Sequence, residues 1–414
     1  MRKRDAPKHA TYRDDVRASR HFTQTAMPRP PAAPVSAAVA VAAPARRRRA
    51  AALAAASLCG LAACGAVSPY HDPAQPHRAE HGFENNYHRF EPKGLGAVLR
   101  WRLAAWRDGL PRPPHTPTPR VLPDLAFVQA NARAGAAMQP AVTWIGHASV
   151  LAQLGGLNVL LDPVFSERVS PLSFVGPRRH VPPGLALAEL PRVDLVLISH
   201  DHYDHLDAPS IDALARQAGG APLFVVPLGL KRWLAARGID SAVELDWWQS
   251  RAVAGPMGTV EVALTPAQHW SGRGLADRKR TLWGGYAVFA PDFHLFYSGD
   301  TGYSPDFADV RARYAGRQRA ADGGGFDLAV LSIGAYEPAW FMHDQHADPA
   351  ETLRIRRDVG AKRALGVHWG TFQLSDESLD EPPRAFDAAR RAEGLDADAA
   401  FVLAVGETRR LPRR

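Results

Sequence analysis

The pattern of apolar and polar positions changes character along this chain. Residues 1–45 are polar and then Ala/Pro-rich, with no period that would give a helix or strand one packed face. Residues 50–63 form an apolar run too short to cross a bilayer as a helix. From about residue 141 onward, short apolar runs rich in β-branched residues alternate with stretches of helical period. They predict strands at 142–146, 150–154 and 157–161, with Gly155-Gly156 as the hairpin turn between the last two. Further strands are predicted at 193–199, 223–226, 259–264, 282–289, 294–297, 327–331 and 364–367. Helices are predicted at 209–217, 228–237, 305–314 and 349–359, with a last helix and strand reaching about residue 403. Upstream, an amphipathic helix is predicted over 95–106, and the proline-containing stretch 111–119 reads as an extended linker. The pattern divides the chain into a leader (1–63), an N-terminal segment with linker (64–140) and a main domain (141–414).

Charge changes this picture little once it is divided. The chain has 50 Lys+Arg and 42 Asp+Glu, of which 12 and 3 fall in residues 1–63, leaving 38 against 39. The basic balance belongs to the leader, so no nucleic-acid partner is implied for the folded part. The two cysteines, Cys59 and Cys64, both lie near the leader's end, so the main domain has neither a disulfide framework nor a thiolate metal site.

The chemistry is concentrated in His200-Asp201-His202-Tyr203-Asp204-His205, directly after the predicted strand 193–199. Imidazole nitrogen and carboxylate oxygen are the donors taken by Zn²⁺ and its borderline neighbours, so Fe and Mn stay open. In extended chain His200 and His202 point the same way. Asp204 and His205 follow the turn and can face a second point, which suits two ions. A solvated polar loop would not gather three imidazoles that repel one another on protonation. Three further residues follow strand-like runs: His269, Asp300 and His368.

This set, His-x-His-x-Asp-His and then His, Asp and His in that order, resembles the metallo-β-lactamase-fold hydrolases. The resemblance implies an α/β fold, a four-layer αββα sandwich with ligands along one edge. It implies one Zn²⁺ on His200, His202 and His269, a second on Asp204, His205 and His368, and Asp300 as the bridge. Two such ions serve hydrolysis of esters, amides or phosphodiesters. The resemblance also implies that Asp162 supports the metal loop; the residues alone make it a strand-end cap. His147 has two readings, lining the site or a structural histidine bonded to backbone. The runs 193–199 and 326–332 echo each other and suggest two similar halves.

Beyond the metal motifs, 144–149, 268–273, 283–286, 299–303, 333–338, 345–349 and 368–372 resemble the N-acylphosphatidylethanolamine-hydrolysing phospholipase D branch. That resemblance implies a phospholipid substrate and a phosphate-contacting role for His346, which orients or protonates the leaving group. Asp204, Asp300 and His346 are accordingly the candidate catalytic residues. Other small esters, such as lactones, form the competing substrate class. A non-catalytic envelope lipoprotein with structural metal is the third reading, disfavoured because structural zinc sites are closed and mononuclear.

Upstream, His71, His77, His81 and His88 read as solvated side chains, and residues 83–87 with the 95–106 helix as packing against the main domain. Arg46-Arg47-Arg48-Arg49, the apolar run and Leu61-Ala62-Ala63-Cys64 make a secretory signal resembling the bacterial lipobox. It implies cleavage before Cys64, lipidation of that residue and a bacterial cell-envelope location. Gly65 in place of Asp points to the outer membrane.

Overall fold

A computed structural model describes residues 67–274, 276–319 and 324–414. Two short strands, β1 (Arg78–Ala79) and β2 (Gly82–Phe83), precede helices α1 (Leu95–Asp108) and α2 (Leu125–Ala132). The first large sheet takes β3 (Ala141–Gly146), β4 (Ser149–Leu154), β5 (Leu157–Leu161), β6 (Leu195–Leu197), β7 (Leu223–Pro227) and β8 (Ala242–Leu245). Helices α3 (Ala208–Ala215) and α4 (Leu230–Ala235) flank β7 in sequence. The second sheet takes β9 (Ser250–Gly255), β10 (Gly258–Thr265), β11 (Gly285–Phe289), β12 (His294–Tyr297), β13 (Leu328–Ser332), β14 (Ala364–Val367) and β15 (Ala400–Phe401). Its helices are α5 (Asp306–Arg313), α6 (Ala339–Met342), α7 (Pro349–Asp358) and α8 (Glu381–Ala392), and β16 (Thr408–Arg410) ends the described chain.

The sheets have seven strands each, in the orders β16-β3-β4-β5-β6-β7-β8 and β15-β14-β13-β12-β11-β10-β9. They repeat one plan. β3, β4 and β5 are antiparallel and β5 through β8 parallel. Likewise β10, β11 and β12 are antiparallel and β12 through β15 parallel. The echoing runs become β6 and β13, the first parallel strand of each sheet. β16 pairs antiparallel with β3 just as β9 pairs with β10.

Strand period two assigns the layers. Val150, Ala152, Val159, Leu161, Leu195 and Leu197 face a central core shared with Val262, Leu264, Val288, Leu295 and Val330 of the other sheet. The intervening Leu151, Leu160 and Val196 pack outward with Ile211 and Leu214 of α3 and Leu234 of α4. Helices α7 and α8 lie on the second sheet. The α/β four-layer sandwich is therefore present.

Beside the two-residue strands β1 and β2, three strands of the large sheets were not predicted, each for its composition. β8 alternates with Glu244, β9 is largely exposed, and β16 is Thr-Arg-Arg with no apolar signal. The stretch 111–119 is not a free linker. The amides of His115 and Thr116 donate to Asp380 at 3.0 and 3.2 Å, and the Thr118 hydroxyl donates to the Gly370 carbonyl at 2.7 Å. His77 is not solvated: it is 7% exposed, bonds Asp246 at 2.7 Å and stacks on Trp247.

Candidate metal centre

Strand direction builds the site. β3, β5 and β6 run the same way in the first sheet, and β10, β12 and β14 do so in the second. Their C-terminal ends release, in turn, His147, Asp162, the 200–205 loop, His269, Asp300 and His368. All eight predicted site residues come together there. All but His202, Asp204 and His346, which keep a small exposure, are buried polar residues. His147, Asp162 and His368 have φ of 52°, 34° and 65°, a left-handed backbone that costs energy in side-chain-bearing residues and concentrates at functional sites.

Hydrogen bonds on the far ring nitrogens aim the imidazoles. His205 Nδ1–H donates to Asp162 at 2.6 Å, and Asp162 also accepts from the Ser199 amide at 2.7 Å and the Tyr297 hydroxyl at 2.5 Å. Asp162 is thus more than a strand-end cap: it fixes the tautomer in which His205 Nε2 faces the site. His200 Nδ1–H donates to Ser199 Oγ at 2.9 Å, which donates on to Asp162. His269 Nδ1–H donates to the Gln345 carbonyl at 3.0 Å. Asp201 turns away; its carboxylate accepts from the Gly272 amide and the Thr281 hydroxyl and ties the 200–205 loop to the loop after His269.

Two groups of donors result. His200, His202 and His269 form one, with His202 Nδ1 at 2.8 Å from His200 Nε2 and 3.3 Å from His269 Nε2. Burial, and then neighbouring imidazoles for His200, hold His200 and His269 well below the ordinary imidazole value; burial lowers His202 too. Asp204, His205, His368 and His147 form the other. Asp300 Oδ2 lies 3.0 Å from His205 Nε2, 3.1 Å from His368 Nε2 and 4.0 Å from His200 Nε2, between the groups. Burial opposes charge on His368 and His205, yet the Asp300 and Asp204 carboxylates outweigh it; His368 rises to about 9 and His205 well above its ordinary value. Burial likewise opposes charge on Asp204 and Asp300, and the facing imidazoles win, holding both well below the carboxylate range.

His147 lines the site. Its Nε2–H donates to Asp204 at 3.0 Å, and burial followed by His368 lowers it to about 3, so the ring is neutral. His346 stands at the rim, its Nδ1 4.0 Å from Asp300 Oδ2 and its ring 5.2 Å from that of His269. Sequence reasoning gave Asn85 no task. Its side-chain amide donates to the His269 carbonyl at 3.0 Å and its oxygen accepts from the His269 amide at 3.1 Å and Trp283 Nε1 at 3.0 Å. A segment 184 residues upstream thus clamps a candidate ligand by both backbone groups. The signal was an Asn pair inside aromatic sequence, Phe83 to Tyr87, which marks docking but not its target.

The donor set fits metal. His202 Nε2, His205 Nε2, Asp300 Oδ1, His346 Nδ1 and both His368 nitrogens are buried without a hydrogen-bond partner among the described residues. Unpaired buried polar atoms are costly. His205 Nε2, His368 Nε2 and His346 Nδ1 lie 3.0, 3.1 and 4.0 Å from Asp300 Oδ2, and imidazole nitrogen and carboxylate oxygen are the atom types that Zn²⁺, Fe and Mn accept.

The model of the β-lactamase superfamily domain matches residues 157–369, and the chain belongs to this superfamily as a metal-dependent hydrolase of the metallo-β-lactamase fold. The protein named N-acyl-phosphatidylethanolamine-hydrolyzing phospholipase D 1 of Caenorhabditis elegans is 39% identical over 247 residues, 58% of this chain and 67% of its own. An uncharacterized protein of Mycobacterium tuberculosis (strain ATCC 25618 / H37Rv) is 42% identical over 301 residues, 72% of this chain and 74% of its own. The crystal structure of a possible metal-dependent hydrolase from Veillonella parvula DSM 2008 shares the fold, with TM-score 0.50 and 16% identity over 66% of this chain and 100% of that one.

Proposed function

We propose that this protein is a dinuclear zinc-dependent phosphodiesterase. It cleaves the headgroup-side phosphodiester bond of N-acylphosphatidylethanolamine-type phospholipids and releases phosphatidic acid. The observation that carries this reading is that two groups of imidazole and carboxylate donors, brought together from two sheets, flank Asp300 with His346 at the rim. The phospholipase D relative supplies the substrate class.

His200, His202 and His269 would hold one ion, Asp204, His205 and His368 the other, with Asp300 reaching both. Bound there, such ions supply Lewis-acid polarisation of the phosphoryl group and a water of lowered pKa. The chain's own part is orientation. Asp162 and the Gln345 carbonyl fix imidazole tautomers, and His147 steers Asp204. Burial lowers His346 to about 4, so its ring is neutral near pH 7. At the rim it is placed to orient or protonate the leaving group, through a hydrogen bond to a phosphate oxygen. A cavity of about 310 Å³ beside it, lined by Tyr336, Glu337, Ala339 and Glu381 among others, gives the headgroup a place.

The test is metal analysis followed by a product screen on phospholipids and lactones. Two equivalents of zinc and release of phosphatidic acid are expected. Lactone cleavage without any headgroup release sinks the phosphodiesterase reading. His346→Ala should keep both metals and lower turnover by about 10²–10³-fold; unchanged turnover removes His346 from the mechanism.

Cys64 lies outside the described residues. Its lipidation, which would hold the enzyme on the envelope membrane, belongs to the same proposal. Radiolabelled palmitate should enter the wild type and not Cys64→Ser; recovery of intact peptides from residues 1–60 would contradict it.

A further inference from the structure

Helix α1 has two apolar faces, and among the described residues only one of them is packed. On the packed face Trp101 and Ala105 are buried against Phe341 and Met342. The Trp101 ring lies 4.7 Å from that of Phe341, and its Nε1–H donates to Asp376 at 2.9 Å. On the other face Leu95, Leu99, Leu103 and Trp106 are 65–79% exposed. Their spacing of four, four and three residues sets them in one stripe about 16 Å long. Exposed hydrophobics ordinarily scatter singly, and an aligned set marks a contact surface.

Charge identifies the contact. Residues 89–112 hold Arg89, Lys93, Arg100, Arg102, Arg107 and Arg112 against Glu91 and Asp108, a local net of +4 in a body whose remaining Lys+Arg and Asp+Glu, 32 against 37, leave it acidic. Arg100 stacks at 4.9 Å on Trp340, itself 46% exposed, which widens the patch. Among the described residues no helix is long and apolar enough to cross a membrane.

We propose that α1 is an interfacial helix that lies in the plane of an anionic lipid bilayer. Leu95, Leu99, Leu103 and Trp106 enter the acyl boundary while the flanking arginines meet the headgroups. A straight convex stripe fits a plane, and basic residues beside it fit an anionic surface. The packed face carries the consequence inward. Phe341 and Met342 beneath it accept bonds from Gln345 Nε2 at 3.4 and 3.6 Å, and the Gln345 carbonyl holds His269. Ala339, next to Trp340, lines the cavity at His346. The docking surface and the candidate site thus share one short segment, although lipid docking does not depend on which bond is cleaved.

The test uses the purified full chain carrying Cys64→Ser, so that no acyl chain contributes. Sedimentation with phosphatidylglycerol vesicles is compared with phosphatidylcholine vesicles, with no turnover measured. The unmodified stripe should favour the anionic vesicles and lose that preference in high salt. Substituting Leu95, Leu99, Leu103 and Trp106 together by Gln should weaken binding about tenfold or more, with metal content and thermal midpoint unchanged. Leu99→Gln with Leu103→Gln, a milder change, should give an intermediate loss. Equal binding by all three proteins overturns the proposal. So does a stripe that binds no vesicle but drives a concentration-dependent dimer abolished by the same substitutions.

Discussion

The His200–His202–His269 group and the Asp204–His205–His368 group lie side by side, made of the same kinds of residue, and balance charge in opposite ways. The first is three imidazoles whose basicity burial suppresses, with ring nitrogens 2.8–3.3 Å apart. The second sets imidazoles against carboxylates and retains protons where a cation would otherwise sit. Their supports differ too. His205 is aimed from within the sheets by Asp162, whereas His269 is clamped by Asn85 from an N-terminal segment. The contrast teaches that the first group depends, through His269, on a segment outside the sandwich, while His205, like His200 through Ser199, is held from within it.

The change expected to break this comparison most completely is Asp300→Asn, since Asp300 stands between the groups. It should lower hydrolysis by about 10³-fold or more and reduce metal content at both positions. Two equivalents of metal in the purified variant would show that Asp300 bridges nothing. A smaller and selective effect is expected from Asn85→Ala. The group containing His269 should bind metal about 10–100-fold more weakly while the other keeps its equivalent. Asn85→Asp, which keeps the acceptor and loses the donor, should fall between. Equal loss at both positions would mean that Asn85 supports the fold in general and not His269.

The smallest effect is in pH. In metal-free protein the raised imidazoles of His205 and His368 stabilise the fold fully below about 6.5, and the share of His368 is lost as pH rises through about 9, that of His205 as pH rises through its own raised value. His346 at about 4 and His147 at about 3 act oppositely, since the unfolded chain takes up their protons first. Stability falls as pH drops below about 6.5. The chelated protein should therefore melt at its highest temperature near neutrality, dropping a few degrees on either side. With metal restored, the alkaline drop should disappear. A flat melting temperature from pH 6.5 to 9.5 after chelation would refute the charge assignment of the second group.

The site was legible because its parts follow apolar strands in fixed order. A run such as 193–199 announces both a buried strand and the end at which the chain leaves the core. His147 could be named as a candidate but not decided, because its role rests on a partner 57 residues away. Asn85 and Tyr297 were beyond reach for the same reason: an Asn in a loop and a Tyr ending a strand look ordinary until the chain brings them to His269 and Asp162. In the fold, the edge strands β9 and β16 escaped because exposed strands need no apolar alternation.

One of those strands governs the order in which the molecule can be assembled. β16 closes the first sheet against β3, where Thr143 and Thr408 join hydroxyls at 2.8 Å across 265 residues of chain. On a translating ribosome β3 emerges early and waits with one edge open until nearly everything else has been made. The two sheets, alike in plan, are therefore not interchangeable in time. The second can complete itself from consecutive sequence, while the first stays unfinished, its edge open to mispairing with other chains, until residues 408–410 arrive to seal it.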